Sequence, residues 1–432
     1  MPEPGGAVSV IDMVRFNGLR SAAARRFFQS FFRLLVLVAS TAQWTVLAWV
    51  LVVGVGVSIG WPAHVLGVAM LYWLNRSLTS SDRGRRRGRS FRRYSATAFV
   101  SIFCSAFLLA AWLVFGVTDG VLTGAAYALG SAHEATISVD LWSTFRWVGS
   151  LGMGGIGLLM AYGYLFGQRE LRVSRLSIPV LGLERPLRVA QISDIHVGQN
   201  LSRAQLEHFV EAVNRIEADL ICVTGDIADS PLADMRTFFP ILARLKAAHG
   251  VLAILGNHDH YAGADRVADA LRQWTSFTVL RDDAVTLPLG RARLHVIGLD
   301  DRGRDWARGV MFDARLAELL ETAPRDVPML LLVHRPDIFG QAADAGVVLT
   351  LSGHTHGGQL AIPWRGGRRR NLAEFVTVFS RGLYQRGAAY LYVNAGLGVT
   401  GQRIRLFTPR EISVFDLTPS APQSAGGSAG TA

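Results

Sequence analysis

Forty-one consecutive residues, Leu34 to Leu74, contain no Asp, Glu, Lys or Arg. A run of that length exceeds what the core of a water-soluble domain needs, since one bilayer crossing takes only about 20 apolar residues. It therefore reads as two crossing helices, folded back on each other at the glycine-rich bend GVGVSIGWP. Two more apolar stretches, Ala96 to Gly116 and Trp147 to Gly167, have the length of a single crossing and bring the expected spans to four.

Orientation follows from Arg and Lys in the short loops, which stay on the cytoplasmic side. Arg76 and the segment SSDRGRRRGRSFRR hold eight Arg and one Asp, and five more Arg precede the first span. Arg169, Arg172 and Arg175 follow the fourth span, whereas the loop Val117 to Arg146 has three acids and a single Arg at its edge. Four spans with both ends inside satisfy all of these counts. A single span over residues 34–74 would put eight Arg outside and is rejected. The spans carry almost no charge, His64 alone falling within one, which gives a transport path little support.

The net charge of +11 raises the question of a nucleic-acid partner, and its distribution answers it. Residues 1–175 carry 17 Arg against 7 acids, while the remainder carries 27 basic and 26 acidic groups. The positive charge therefore belongs to the membrane flanks, and nucleic acid is not an expected partner of the second half. Cys104 in a span and Cys222 in an apolar run imply no disulfide framework.

From about Glu184 short apolar runs alternate with amphipathic stretches. RVAQISD, DLICVTGD, GVLAILGNHD, ARLHVIGLD, MLLLVH and VVLTLSGH read as buried strands, each with a polar group at its C-terminal end. A helix is expected over Ser202 to Ala218, with Ser202 and Gln205 as a capping box and Leu206, Phe209, Val210, Val213 and Ile216 on one face. Met235, Phe238, Phe239, Leu242 and Leu245 form a second such face. The alternation predicts an α/β sandwich, whose chemistry sits beyond the carboxyl ends of its strands. The expected organisation is a cytoplasmic N-terminal segment (1–33), a four-span region (34–167) with an Arg-rich cytoplasmic loop (76–93), a linker (168–183), the α/β domain (184–417) and a disordered tail (418–432).

The strand ends supply Asp194 and His196; Asp226 and Asp229; Asn257, His258 and Asp259; His334; and His354 and His356. Any one of these is ordinary turn chemistry. Five strand ends that each carry imidazole, carboxylate or carboxamide converge on one place, and so many desolvated polar groups need a shared partner. A pair of metal ions is such a partner. The mixed nitrogen and oxygen donors point to Mn, Fe or Zn rather than Ca or Cu, and the lack of Cys argues against a structural zinc site.

DIH, GDIAD, GNHD, a lone VH and GHTHGGQ, in that order, resemble the signature of calcineurin-like metallophosphoesterases over roughly residues 185–416. The later segment YVNAGLGVTGQRIRLFTPREI is similar to the membrane-associated bacterial branch, which includes phosphodiesterases acting on UDP-diacylglucosamine. The resemblance implies that Asp194, His196 and His356 bind one metal, that Asn257, His334 and His354 bind a second, and that Asp226 bridges them. It also implies that His258 binds no metal but faces the substrate and helps neutralise or protonate the leaving oxygen, while a hydroxide held between the ions attacks phosphorus in line. Asp229 and Asp259 are candidates for orienting ligand histidines, with solvated turn carboxylates as the alternative.

Substrate identity is less constrained. In LAIPWRGGRRRNLAEF, Trp364 adjoins Arg365, Arg368, Arg369 and Arg370, a set suited to a phosphate-rich head group at a membrane surface or simply to a solvated loop. The expected function is a membrane-anchored two-metal phosphoesterase, of phosphodiesterase type, that hydrolyses a phosphodiester or pyrophosphate, preferentially lipid-linked. The expected location is the cytoplasmic membrane of a bacterial-type cell, with the catalytic domain inside. The alternatives are a membrane sensor or scaffold with a regulatory phosphoesterase domain, and a nuclease.

Overall fold

In the computed structural model, residues 22–79, 88–128, 134–198, 200–229, 233–301, 312–365 and 369–420 are described. The chain divides after Tyr162 into two compact units.

The first unit is helical because its uncharged apolar runs satisfy their backbone polar groups internally. It comprises α1 (Ala22–Trp49), which passes into a π-helical turn at Val50–Val55, then α2 (Trp61–Thr79), α3 (Gly88–Ala128) and α4 (Glu134–Leu165). The π turn ends at Gly56, whose left-handed φ of 81° makes the bend expected within GVGVSIGWP. Among the described residues, three segments are long and apolar enough to cross a membrane: Ser30–Val55, Tyr94–Ala128 and Asp140–Arg169. The last two extend well beyond the expected stretches. Helix α2 occupies the place of the expected second span and is long enough, but it is not among the three; its polar residues include His64, Asn75 and Arg76. Its polar groups find partners on α1: Trp44 Nε1–H donates to His64 Nδ1 at 3.0 Å, and Asn75 donates to Ser40 Oγ and Gln43 Oε1.

The second unit contains two six-stranded sheets. The first runs in the order β1 (Leu171–Leu181), β14 (Arg410–Ser420), β2 (Leu187–Ile192), β3 (Leu220–Thr224), β4 (Val251–Ile254), β5 (Thr278–Val279). The second runs β12 (Gly382–Arg386), β13 (Ala389–Val393), β9 (Leu349–Ser352), β8 (Met329–Leu332), β7 (Ala292–Gly298), β6 (Asp283–Leu289). Val189, Leu220 and Leu252 from one sheet meet Val296, Leu332 and Leu351 from the other in a shared core. The outer face of the first sheet is covered by α5 (Arg203–Asn214), α6 (Met235–Leu242) and α8 (Ala264–Trp274). Leu316 of α9 (Ala314–Thr322) and Ala342 of α10 (Phe339–Asp344) lie against the second. The result is a helix, sheet, sheet, helix sandwich.

Ser202 and Gln205 do form the capping box of α5, which ends earlier than expected, at Asn214. Residues 168–183 are not a linker: Leu171 to Leu181 form β1, paired in parallel along its whole length with β14. Their alternation is half-polar because one face of this edge strand stays exposed, which hides it in a hydropathy scan. Likewise Thr418 to Ser420, expected in a disordered tail, finish β14, while residues 421–432 lie outside the described set.

Candidate metal centre

Strands β2, β3 and β4 run parallel, as do β7, β8 and β9, so the loops after β2, β3, β4, β8 and β9 emerge at one end of the sandwich. The loops are tied edge to edge: the Asp194 amide donates to the Gly225 carbonyl, the His196 amide to the Asp226 carbonyl and the Gly353 amide to the His334 carbonyl. Of the nine non-glycine residues with positive φ among those described, five are Asp194, His196, Asp226, His354 and His356. Left-handed backbone costs energy for such side chains, and it concentrates here because the tied loops must turn side chains inward over a few residues.

Gly353 illustrates how closely these loops meet. A Cβ there would overlap Ser193 Oγ and Asp194 Oδ2, and the approach lets the His354 amide donate to both oxygens of Asp194 at 3.1 Å. Asp226 is held similarly, its Oδ1 accepting from the His258 amide at 2.7 Å.

Three overlapping groups of donor atoms result among the described residues: Asp194, His196 and His356; Asp226, His334 and His354; and, between them, His196, Asp226 and His258, which brings His258 within ligand distance as well. They are joined at Asp226, whose Oδ2 lies 3.2 Å from His334 Nε2 and 3.7 Å from His196 Nε2. Asn257 opens α7 (Asn257–Ala262) directly after Gly256, whose own Cβ position is filled by Asp226. His258 stands beside the first group, its ring centroid 4.7 Å from that of His196.

The donor set fits divalent cations. His334 Nδ1 is 2.8 Å from the Thr224 carbonyl, which fixes that nitrogen as a donor and leaves buried Nε2 facing only the Asp226 carboxylate, 3.2 Å away. Asn257 Oδ1 is buried and has no hydrogen-bond partner. His196 Nε2 and His356 Nε2 face each other at 3.0 Å, where two lone pairs repel unless a proton or cation lies between them. Burial and His196 push His356 well below the usual imidazole range, and burial and His334 do the same to His354, so both rings offer neutral nitrogen. Burial would raise the Asp226 carboxyl, but His334 and His258 hold it well below the usual carboxylate range. Burial opposes protonation of His258, yet Asp226 and Asp229 bring it to about 9.

The remaining sequence candidates separate. Asp229 Oδ1 lies 3.3 Å from both His196 Nδ1 and His258 Nδ1, within ion-pair distance of each. Asp259 is neither a histidine partner nor a solvated turn residue. Fully buried, it accepts from the amides of Ile227, Ala228 and Gly256 and so ties the β3 and β4 loops together. Arg365, Arg369 and Arg370 line a groove of about 1090 Å³ together with Arg172 and Arg381, reaching the metal-ligand cluster only at Gly357. Within it Arg370 pairs with Glu374 at 2.9 Å and Arg369 donates to the Phe407 carbonyl. Arg368 lies outside the described residues.

Arg405 is a residue that sequence reasoning passes over. It has no exposure, and it donates to the carbonyls of Ala395, Gly396, Gly398 and Thr408, shaping the loop whose Gly398 amide bonds the Asp194 carbonyl. An arginine in RIRLFTPRE carries no sequence mark of burial.

A four-layer α/β sandwich with carboxylate, imidazole and carboxamide donors at its strand ends defines a metal-dependent hydrolase. The model of the calcineurin-like phosphoesterase family matches residues 187–358. The chain is 35% identical over 235 residues to the uncharacterized metallophosphoesterase YkuE of Bacillus subtilis, covering 53% of this chain and 78% of that one. An uncharacterized metallophosphoesterase of Aquifex aeolicus is 30% identical over 264 residues, or 60% of this chain and 96% of its own length. The bovine transmembrane protein with metallophosphoesterase domain is 29% identical over 269 residues, 59% of each chain. A dimetal phosphatase from Danio rerio aligns over 54% of this chain and 94% of its own, at 13% identity and a TM-score of 0.34. The chain belongs to the calcineurin-like metallophosphoesterases, a family of metal-dependent phosphoester hydrolases, and it is a transmembrane member of that family.

Proposed function

We propose that this chain is a two-metal phosphodiesterase of the bacterial cytoplasmic membrane, anchored by four spans with its catalytic domain inside, acting on a lipid-linked phosphodiester or pyrophosphate. The observation that carries the two-metal reading is the junction at Asp226, where one carboxylate faces donor groups on both sides. Asp194, His196 and His356 would hold one ion, His334, His354 and Asn257 the other, and Asp226 both; Mn, Fe and Zn suit such mixed donors. When bound, the ions supply a water of lowered pKa and neutralise phosphoryl charge.

The protein groups do the rest. Asp229 holds His258 and His196 through its carboxylate and, for His258, also through its carbonyl, 3.2 Å from Nδ1. His258 Nε2 is thereby left for the substrate, and as the imidazolium it hands a proton to the departing oxygen. The groove beside Gly357 carries five arginines against two glutamates, which supports recognition of a second anionic group on the substrate. The arginine-rich flanks of the spans support the cytoplasmic orientation, and α2 would serve as the second span with α1 satisfying its polar groups.

The test is hydrolysis of bis-p-nitrophenyl phosphate by the detergent-purified chain, with metal content measured in parallel. Metal-dependent turnover lost in Asp226→Asn and in His258→Ala, with the ions retained in His258→Ala, is the expected result. A wild type that holds two ions and cleaves neither this diester nor the matching monoester would reject generic phosphoesterase chemistry.

A further inference from the structure

Between the two halves of the second sheet the chain leaves the sandwich to build a small lobe: a hairpin of β10 (Ala361–Pro363) and β11 (Arg369–Asn371), followed by a 3₁₀ turn at Leu372–Phe375. Neither strand belongs to the main sheets. Its outer surface has the wrong chemistry for water. Phe375 is 88% exposed, Val376 87% and Val378 80%, with Ile362 and Trp364 also exposed. Single exposed apolar side chains are ordinary, but with Leu372 there are six within seventeen residues, which marks a surface with a partner.

The lobe is constructed to present them. Asn371 and Glu374 form a capping box around the turn, Ala373 is buried beneath it, and the amides of Val376 and Thr377 both donate to the Ala373 carbonyl. Phe375 and Val376 are thus carried outward on a hydrogen-bonded turn. Arg365, Arg369 and Arg370 belong to the same segment, Arg370 paired with Glu374 and Arg369 bonded to the Phe407 carbonyl.

We propose that this lobe docks on an anionic lipid bilayer, with Phe375, Val376 and Val378 entering the interfacial layer and Arg365 meeting lipid phosphates. Aromatic and aliphatic tips beside Arg are the composition that partitions into a bilayer interface. The chain's own apolar helices supply the membrane at high effective concentration, so a weak contact suffices. The groove between lobe and metal-ligand cluster then opens next to the lipid surface, giving a lipid-linked substrate a route that avoids water.

The full chain tests this in nanodiscs. Cys104 and Cys222 are buried, so a polarity-sensitive fluorophore can be placed on Val376→Cys, with Asp269→Cys on α8 as an exposed reference. In phosphatidylglycerol-containing discs, the probe at 376 should emit to the blue of the reference and be quenched roughly threefold more by spin-labelled lipid, with aqueous iodide excluded. Arg365→Gln should lower the ratio of inserted to free probe roughly fivefold, the effect of one surface arginine. A probe quenched by iodide and untouched by spin-labelled lipid overturns the proposal. So does a probe shielded from both, which would mean that a second copy covers the lobe. No arm depends on metal or turnover, so its failure is distinguishable from failure of the phosphodiesterase reading.

Discussion

Replacing Gly353 with alanine tests whether the touching loops, rather than the donor residues alone, make the metal centre. The added Cβ would overlap Ser193 Oγ and Asp194 Oδ2 and lie 2.9 Å from Ser193 Cβ. Carbon atoms settle at about 3.5–4.0 Å, so the loop carrying His354 and His356 must withdraw by roughly 1 Å. That withdrawal breaks the paired hydrogen bonds from the His354 amide to Asp194. Overpacking costs about 1–3 kcal/mol and a lost hydrogen bond to a charged group about 1.5–3 kcal/mol, so the sum is roughly 3–6 kcal/mol. At about 2–4 °C per kcal/mol, Tm should fall by roughly 6 °C or more. Because His354 and His356 sit in different donor groups, both ions should be weakened. The assay is metal content after gel filtration, with thermal unfolding beside it. Gly340→Ala is the control, since a Cβ there meets only the flexible end of Arg386. If Gly353→Ala keeps two ions and an unchanged Tm, the close approach is incidental and the reasoning fails.

Other expectations follow from single contacts. Asp259→Ala strands three buried amides and should cost about 3 kcal/mol or more of stability by denaturant titration, before any effect on turnover. Arg405→Leu leaves buried carbonyls without a donor and should lower Tm together with metal retention, whereas loss of Tm alone would show that the 395–398 loop does not position Asp194. In chelator, the folded-state pKa of His258, raised to about 9, means stability fully present below the unfolded value near 6.5 and lost as pH rises through 9. Tm in EDTA should therefore fall between pH 6.5 and 9, with a shallower slope in His258→Ala; equal slopes would exclude this linkage. Metal removal itself should lower Tm at pH 8, because ions that bind only the folded chain add their binding energy to its stability.

Legibility in the sequence varied with how directly a residue's role shows in its neighbours. RVAQISD and VVLTLSGH are readable as strands ending in donors because parallel strands buried on both faces are continuous apolar runs. That Asp194, His196 and His356 lie together depends on loops crossing from one sheet to the other, for which the ordered motifs are the only sign. β1 escapes notice since an edge strand with an exposed face looks like a polar connector. Asp259 and Arg405 are unreadable for a different reason: a carboxylate holding three amides and a guanidinium holding carbonyls have the same letters as solvated ones. Arg370 errs the opposite way, being basic in the sequence but already paired with Glu374.

The pairing of β1 with β14 has a consequence for how the chain is made. Ser174 and Glu411, bonded side by side in this sheet, are 237 residues apart. β14 also lies between β1 and β2, so β1 has no partner, and β2 only β3, until residue 410 onward has been synthesised. During that interval β1 waits only a few residues beyond the last membrane helix, with the Leu187 end of β2 also uncovered. Non-local pairing of this kind is slow and leaves strand edges open. The phosphoesterase domain thus completes itself late, and that interval is when a chaperone or a protease would find it.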